Sequence, residues 1–106
     1  MRTYLWSVSY TPAGAQGLLR EGGTSRRKAI EELVAGLGGR VESWYYAFGD
    51  YDLYVIATLP GDAEATAISL QVAAAGAARI HTTPLMTAED FDQAARVSVG
   101  YRAPGA

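Results

Sequence analysis

The segment "RVESWYYAFGDYDLYVIATL", Arg40 to Leu59, leaves the chain few choices. Large side chains alternate with a period of two on either side of Gly49-Asp50, a pattern that suits two strands and not a helix. The Gly-Asp pair predicts the tip of a β-hairpin. A two-residue tip needs positive φ at one or both positions, which Gly supplies without strain and Asp tolerates. Symmetry about the tip pairs Phe48 with Tyr51, Tyr46 with Leu53 and Trp44 with Val55. On the other face it pairs Ala47 with Asp52, Tyr45 with Tyr54, Ser43 with Ile56 and Val41 with Thr58. A longer loop of the same symmetry keeps these faces, whereas a bulge exchanges them beyond it.

The two faces differ in character. Trp44, Tyr46, Phe48, Leu53, Val55 and Leu59 make one strongly apolar, the natural seat for helices and the core anchor. Ser43, Tyr45, Asp52, Tyr54, Ile56 and Thr58 make the other mixed. The first strand, "TYLWSVSY" (Thr3 to Tyr10), divides in the same way, with Tyr4, Trp6 and Val8 on one side and Ser7 and Ser9 on the other. In a fourth strand, "ARIHTTPLM", Ala78 and Ile80 stand against Arg79, His81 and Thr83.

Helices fill the remainder. "TPAGAQGLLREGG" is turn-rich and predicts a short helical piece ending at Gly22-Gly23. Thr24 or Ser25 can cap a helix to about Leu37 that places Ile30, Leu33, Val34 and Leu37 on one face. Gly38-Gly39 supplies the left-handed stop. Pro60-Gly61-Asp62 breaks the chain and caps a second helix over "AEATAISLQVAAA", which stops near Gly76. Its Ala-rich sequence and thin apolar face (Ile68, Val72) predict close packing on its neighbour. Thr87 and Asp90 resemble a capping box for a last short helix through Phe91 and Ala95. The order is that of the split βαβ, or ferredoxin-like, fold: α+β, a four-stranded antiparallel sheet with helices on one face. One domain is expected over residues 1–97, with 98–106 a flexible or partner-docking tail.

The mixed face is too apolar for water and too polar for a plain core. Each large side chain buried is worth about 1.5–3 kcal/mol, and an uncovered sheet exposes edges. A second copy of the chain answers both problems. Two such sheets, face to face, form a dimeric α+β barrel with a semi-polar interior, a concave place for a ligand.

Composition narrows the partners. With 106 residues the chain has the size of one domain. Its net charge of −2 and pI near 5.2 argue against non-specific nucleic-acid binding, which needs a basic face. The only basic cluster, Arg26-Arg27-Lys28, is too short to change that. Without cysteine there is no disulfide framework or thiolate metal site, and the single histidine, His81, cannot make a His-rich one. No cofactor is implied. Met1 leads into "RTYLWSVSY" without a long apolar run and cleavage site, and no run is long enough to span a membrane. The cytoplasm is the expected location, with no membrane partner.

The stretch "FGDYD" followed by "LYVIATLPGDAEA" resembles the signature of the GYD-domain family, small bacterial and archaeal proteins. The Gly, Tyr and Asp of that name fall on Gly49, Tyr51 and Asp52. Supporting features are Tyr10-Thr11, Gly38-Gly39, Pro60, Asp62 and Thr82, and the resemblance runs from residue 3 to about 95. It implies a dimeric α+β barrel, hence a homodimer or higher oligomer. The wider superfamily holds cofactor-free monooxygenases, isomerases, haem-degrading enzymes and ligand-sensing modules, so the fold does not choose the function. At Ile80-His81 the sequence departs from the family, which more often has other polar residues there. A role for His81 would therefore be particular to this chain.

The mixed face supplies the candidate site. Histidine is the side-chain type whose unperturbed charge change falls near neutral pH, so His81 suits a general base or acid; its plainer role is a half-exposed strand residue. Asp52 can orient His81, hold a substrate hydroxyl or act as a base. It can equally accept backbone N–H groups after the turn, which is the preferred reading. Arg79 suits a carboxylate or enolate oxygen, or a salt bridge. Tyr45 and Tyr54 can stack on a flat ligand or form a cross-strand pair worth about 0.2–1 kcal/mol. Ser7 and Ser9 leave room, and Ile56 and Thr58 complete the wall. Two functions follow. One is a cofactor-independent enzyme that transfers protons, isomerises, cyclises or oxygenates an apolar, oxygen-bearing aromatic or polyketide-like metabolite. The other is a non-catalytic ligand-binding or assembly module. A haem- or metal-using relative has only His81 in its favour.

Overall fold

The computed structural model describes residues 1–106. Along the chain run β1 (Arg2–Tyr10), α1 (Pro12–Glu21), α2 (Gly23–Gly36), β2 (Arg40–Tyr46), β3 (Leu53–Leu59), α3 (Asp62–Ala75), β4 (Ala78–Leu85) and α4 (Ala88–Ala95). The strands form one antiparallel sheet in the order β2-β3-β1-β4. This is the ferredoxin-like arrangement, with the turn-rich segment after β1 realised as a full helix, α1. The core lies on the helix side. Tyr4, Trp6 and Val8 from β1 and Leu53, Val55, Ala57 and Leu59 from β3 are buried there against Val34 of α2 and Ala65 and Ile68 of α3.

The hairpin keeps the register read from its symmetry near the tip: Tyr46 opposite Leu53, Tyr45 opposite Tyr54, Trp44 opposite Val55, Ser43 opposite Ile56. Two details differ. The Ala47 N–H donates to the Asp52 carbonyl, so the loop is the four residues 48–51 instead of two. Neither Gly49 nor Asp50 has positive φ; a four-residue loop is commonly built on a type I turn, which needs none. At the other end the register shifts between Val41 and Ser43, so Val41 faces Ala57 and Arg40 faces Thr58. The bulge at Glu42 turns Val41 inward, where it packs on the core with Trp44. Phe48, expected in the core, is fully exposed at the loop. Tyr46 is partly exposed and reaches α2 through its hydroxyl, which donates to the Gly23 carbonyl.

Local chemistry sets the helix ends. Thr11 caps α1 by accepting the Gly14 N–H, and its hydroxyl lies 2.9 Å from the Gly76 carbonyl oxygen and 3.1 Å from that of Ala77. One threonine thus ties α1 to the α3–β4 turn. Gly14 allows the approach: a Cβ there would stand 1.8 Å from the Ala77 oxygen. α2 starts at Gly23 behind Gly22, so Thr24 and Ser25 lie inside its first turn and do not cap it. Gly38, with φ of 84°, ends that segment as expected. Asp62 opens α3 without capping it. Its carboxylate accepts the Tyr4 hydroxyl at 2.5 Å and lies 3.7 Å from Arg2. Ser69 and Thr82, 3.1 Å apart, couple α3 to β4. Thr87 caps α4 by accepting the Asp90 N–H.

α3 packs closely on β4, less on β3, and only sparsely on α2. The small Ala side chains that draw it to the sheet leave a groove beside it. No helix is long and apolar enough to cross a membrane.

Candidate functional site

The strand register brings the predicted site residues into rows on the face opposite the helices. His81 is opposite Ser7, Ser7 opposite Tyr54, and Tyr54 opposite Tyr45, so one row crosses all four strands. The next row is Thr83, Leu5, Ile56 and Ser43. Arg79 is opposite Ser9, and Thr58 opposite Thr3. With strands about 4.8 Å apart, His81 and Tyr54 stand about 10 Å apart at their backbones, spanned by Ser7. Arg79 and His81 are separated by about 6.6 Å along β4. The small Ser7 is buried between its taller neighbours, while Tyr45 is 72% and Tyr54 37% exposed.

The side chains differ in how free they are. Asp52 is committed: its Oδ2 accepts the Tyr10 N–H at 2.8 Å, and its own N–H donates to the Val8 carbonyl. The carboxylate closes the end of β1, as the plainer reading expects. Thr58 donates its hydroxyl to Glu42 Oε1 at 3.1 Å. Glu42 also binds the Arg40 guanidinium, and these two contacts, Arg40 first, hold its carboxyl below the usual range. The Tyr54 ring meets Tyr51 edge-on, centroids 5.8 Å apart. His81 and Arg79 take part in no side-chain hydrogen bond or ion pair within the chain. The face therefore presents one free imidazole, one free guanidinium and two tyrosine hydroxyls beside an apolar row of Leu5 and Ile56.

Sequence parity alone places Leu5 with Ser7 and Ser9, so that residue was available to it. Glu42 was not, because only the bulge puts its carboxylate beside Thr58.

The apolar hollows of a single chain lie on the other side. A small cavity of about 60 Å³ under the helices is walled by Trp6, Tyr10, Trp44, Val55, Ile68 and Ile80. It adjoins an open groove of about 430 Å³ between α2 and α3. Arg26 lines both, as do Trp6, Ile30, Ile68 and Val72. The indole N–H groups of Trp6 and Trp44 are buried with no acceptor. Burial, and then the neighbouring Tyr46, push the Tyr10 hydroxyl up to about 12, with Arg26 pulling the other way.

Comparison with known families settles the relationship. The GYD domain profile matches residues 4–95. The chain belongs to the GYD-domain family. No curated protein and no solved structure matches it. In this GYD domain the residues of the family signature are mostly tied to other parts of the chain. Asp52 holds Tyr10, Thr11 holds the α3–β4 turn, Asp62 holds Tyr4 and Thr82 holds Ser69. His81 and Arg79 stand apart from that network.

Proposed function

We propose that this GYD domain acts as a homodimer whose two open sheet faces close a semi-polar lumen. The lumen binds an apolar, oxygen-bearing small molecule, aromatic or polyketide-like. The observation that carries the reading is the row His81, Ser7, Tyr54, Tyr45, which crosses the whole sheet on a face that no helix of the chain covers. Its apolar neighbours Leu5 and Ile56 favour a covered face over a solvated one.

In that lumen His81 is the group that moves a proton, as an isomerisation or cyclisation requires. Arg79 and the hydroxyls of Tyr45 and Tyr54 stabilise charge that develops on a ligand oxygen, and the tyrosine rings hold its flat part. Ser7 and Ser9 leave the space, and Ile56 and Thr58 wall it. Asp52 belongs to the architecture of the site, since its carboxylate already serves Tyr10. We assign residues 1–97 to the domain proper and residues 98–106 to a partner-docking tail.

A second reading, an assembly or ligand-sensing module without chemistry, draws on the C-terminal arm. Residues 86–106 are all exposed, with Phe91, Val97, Val99 and Tyr101 more than half so. Native mass spectrometry of the purified protein, followed by turnover assays of His81→Ala with whatever molecule co-purifies, separates the two. A dimer that retains its ligand but loses turnover in the variant supports the enzyme. Ligand binding and a product profile indifferent to His81 remove it.

A further inference from the structure

The groove between α2 and α3 lies on the opposite side of the sheet from His81 and is independent of the lumen. Its lining is almost wholly apolar. Trp6 forms the floor, Ile30, Leu33 and Leu37 one wall, and Ala67, Ile68, Val72 and Ala75 the other. Leu33 and Leu37 remain 47% and 38% exposed along it, which is unusual for the apolar face of a core-facing helix. At about 430 Å³ the groove has the size of small-molecule sites. Along α2 from Arg26 to Leu37 it extends about 16 Å at 1.5 Å per residue, so it is long and narrow.

One charged side chain lines it. Arg26 is half-buried and forms no ion pair, whereas Arg27 next to it is within 3.8 Å of Glu31. Arg26 also sits near enough to Tyr10 to favour that residue's ionised form. One end of the apolar trough thus carries a cation, and Tyr10 lines the adjoining cavity that Arg26 shares with the groove. Gln71 is the only other polar residue of the lining. A guanidinium partly withdrawn from water gains most from an anionic partner.

We propose that the α2–α3 groove binds an apolar chain with one anionic head, a medium-chain carboxylate, with the head on Arg26 and Tyr10 and the chain over Trp6 towards Leu33 and Leu37. The molecule carries its own reporters, because its two tryptophans, Trp6 and Trp44, both line the groove or the cavity beneath it.

The test is a titration of the full chain with decanoate, followed by tryptophan fluorescence, with decanol as the uncharged control. Saturable binding of decanoate is expected, at least about tenfold tighter than decanol, the value of one charge-assisted bond. Arg26→Gln should remove that difference. Ala67→Phe, at an exposed position of the wall, should weaken both ligands by plugging the groove while leaving the circular dichroism spectrum intact. Equal binding of decanoate and decanol, or decanoate binding that ignores both substitutions, overturns the proposal. So does a change of molecular mass by light scattering on adding decanoate, because the groove would then be a contact between copies.

Discussion

Asp52 was a candidate for catalysis and for structure, and its bond to Tyr10 N–H makes the choice measurable. A hydrogen bond to a charged group is worth about 1.5–3 kcal/mol. Asp52→Ala should therefore lower the unfolding free energy by about that amount in urea titration, and Asp52→Asn, which keeps an acceptor, by less than half as much. An unchanged midpoint in Asp52→Ala would return the carboxylate to the list of reactive groups. Tyr10 gives a pH signature. Its hydroxyl is raised to about 12, chiefly by burial, so the folded state holds a proton that the unfolded chain releases near 10. The stability this contributes is whole below about pH 10, declines as the pH rises, and is gone by about 12. Spectrophotometric titration should show two late tyrosines, Tyr10 and Tyr4, the latter raised by burial and then by its bond to Asp62, and Tyr10→Phe should remove one of them. The same variant should lose less stability between pH 10 and 12 than the parent.

The elements were legible in the sequence wherever a local signal acts alone. Period-two alternation marked β1, β2, β3 and β4, and Thr87 marked the start of α4 through a bond only three residues long. Tertiary chemistry overrode local signals elsewhere. Thr24 and Ser25 are good capping residues, yet α2 begins before them, where Tyr46 can reach Gly23. The bulge at Glu42 left no mark in composition. It exists because Val41 and Trp44, three residues apart, both pack on the core, which unbroken alternation forbids. Phe48 had the right parity for burial but lies beyond the last paired residues. The site rows were readable as far as parity reaches, and so was the backbone role of Asp52; the engagement of Thr58 by Glu42 and of Tyr54 by Tyr51 was not, since parity sets both partners on the opposite face. α1 depends on one contact that no periodicity announces. Gly14→Ala would drive a methyl into the Ala77 carbonyl, and we expect a loss of about 1–3 kcal/mol, seen as a lowered melting temperature. Gly49→Ala, where a Cβ meets nothing and φ is ordinary, should leave it unchanged.

The whole molecule is longer than its core requires. A chain of this length packed into one body has a radius of gyration near 13 Å, whereas this one measures 17.0 Å with a longest dimension of 57 Å. The excess is the C-terminal arm, α4 and the tail, which has little contact with the sheet or the other helices. An arm bearing Phe91, Val97, Val99 and Tyr101 in solvent and a sheet face bearing Leu5, Ile56 and two tyrosines are two unpartnered apolar surfaces on one small domain. In the proposed dimer a second copy would cover both at once, and the lumen proposed for His81 exists only in that dimer. Multi-angle light scattering of the full chain at micromolar concentration tests this most directly. A mass of twice, or a higher even multiple of, the 11.3 kDa of one chain is expected; a monodisperse 11.3 kDa species would rule out the shared lumen.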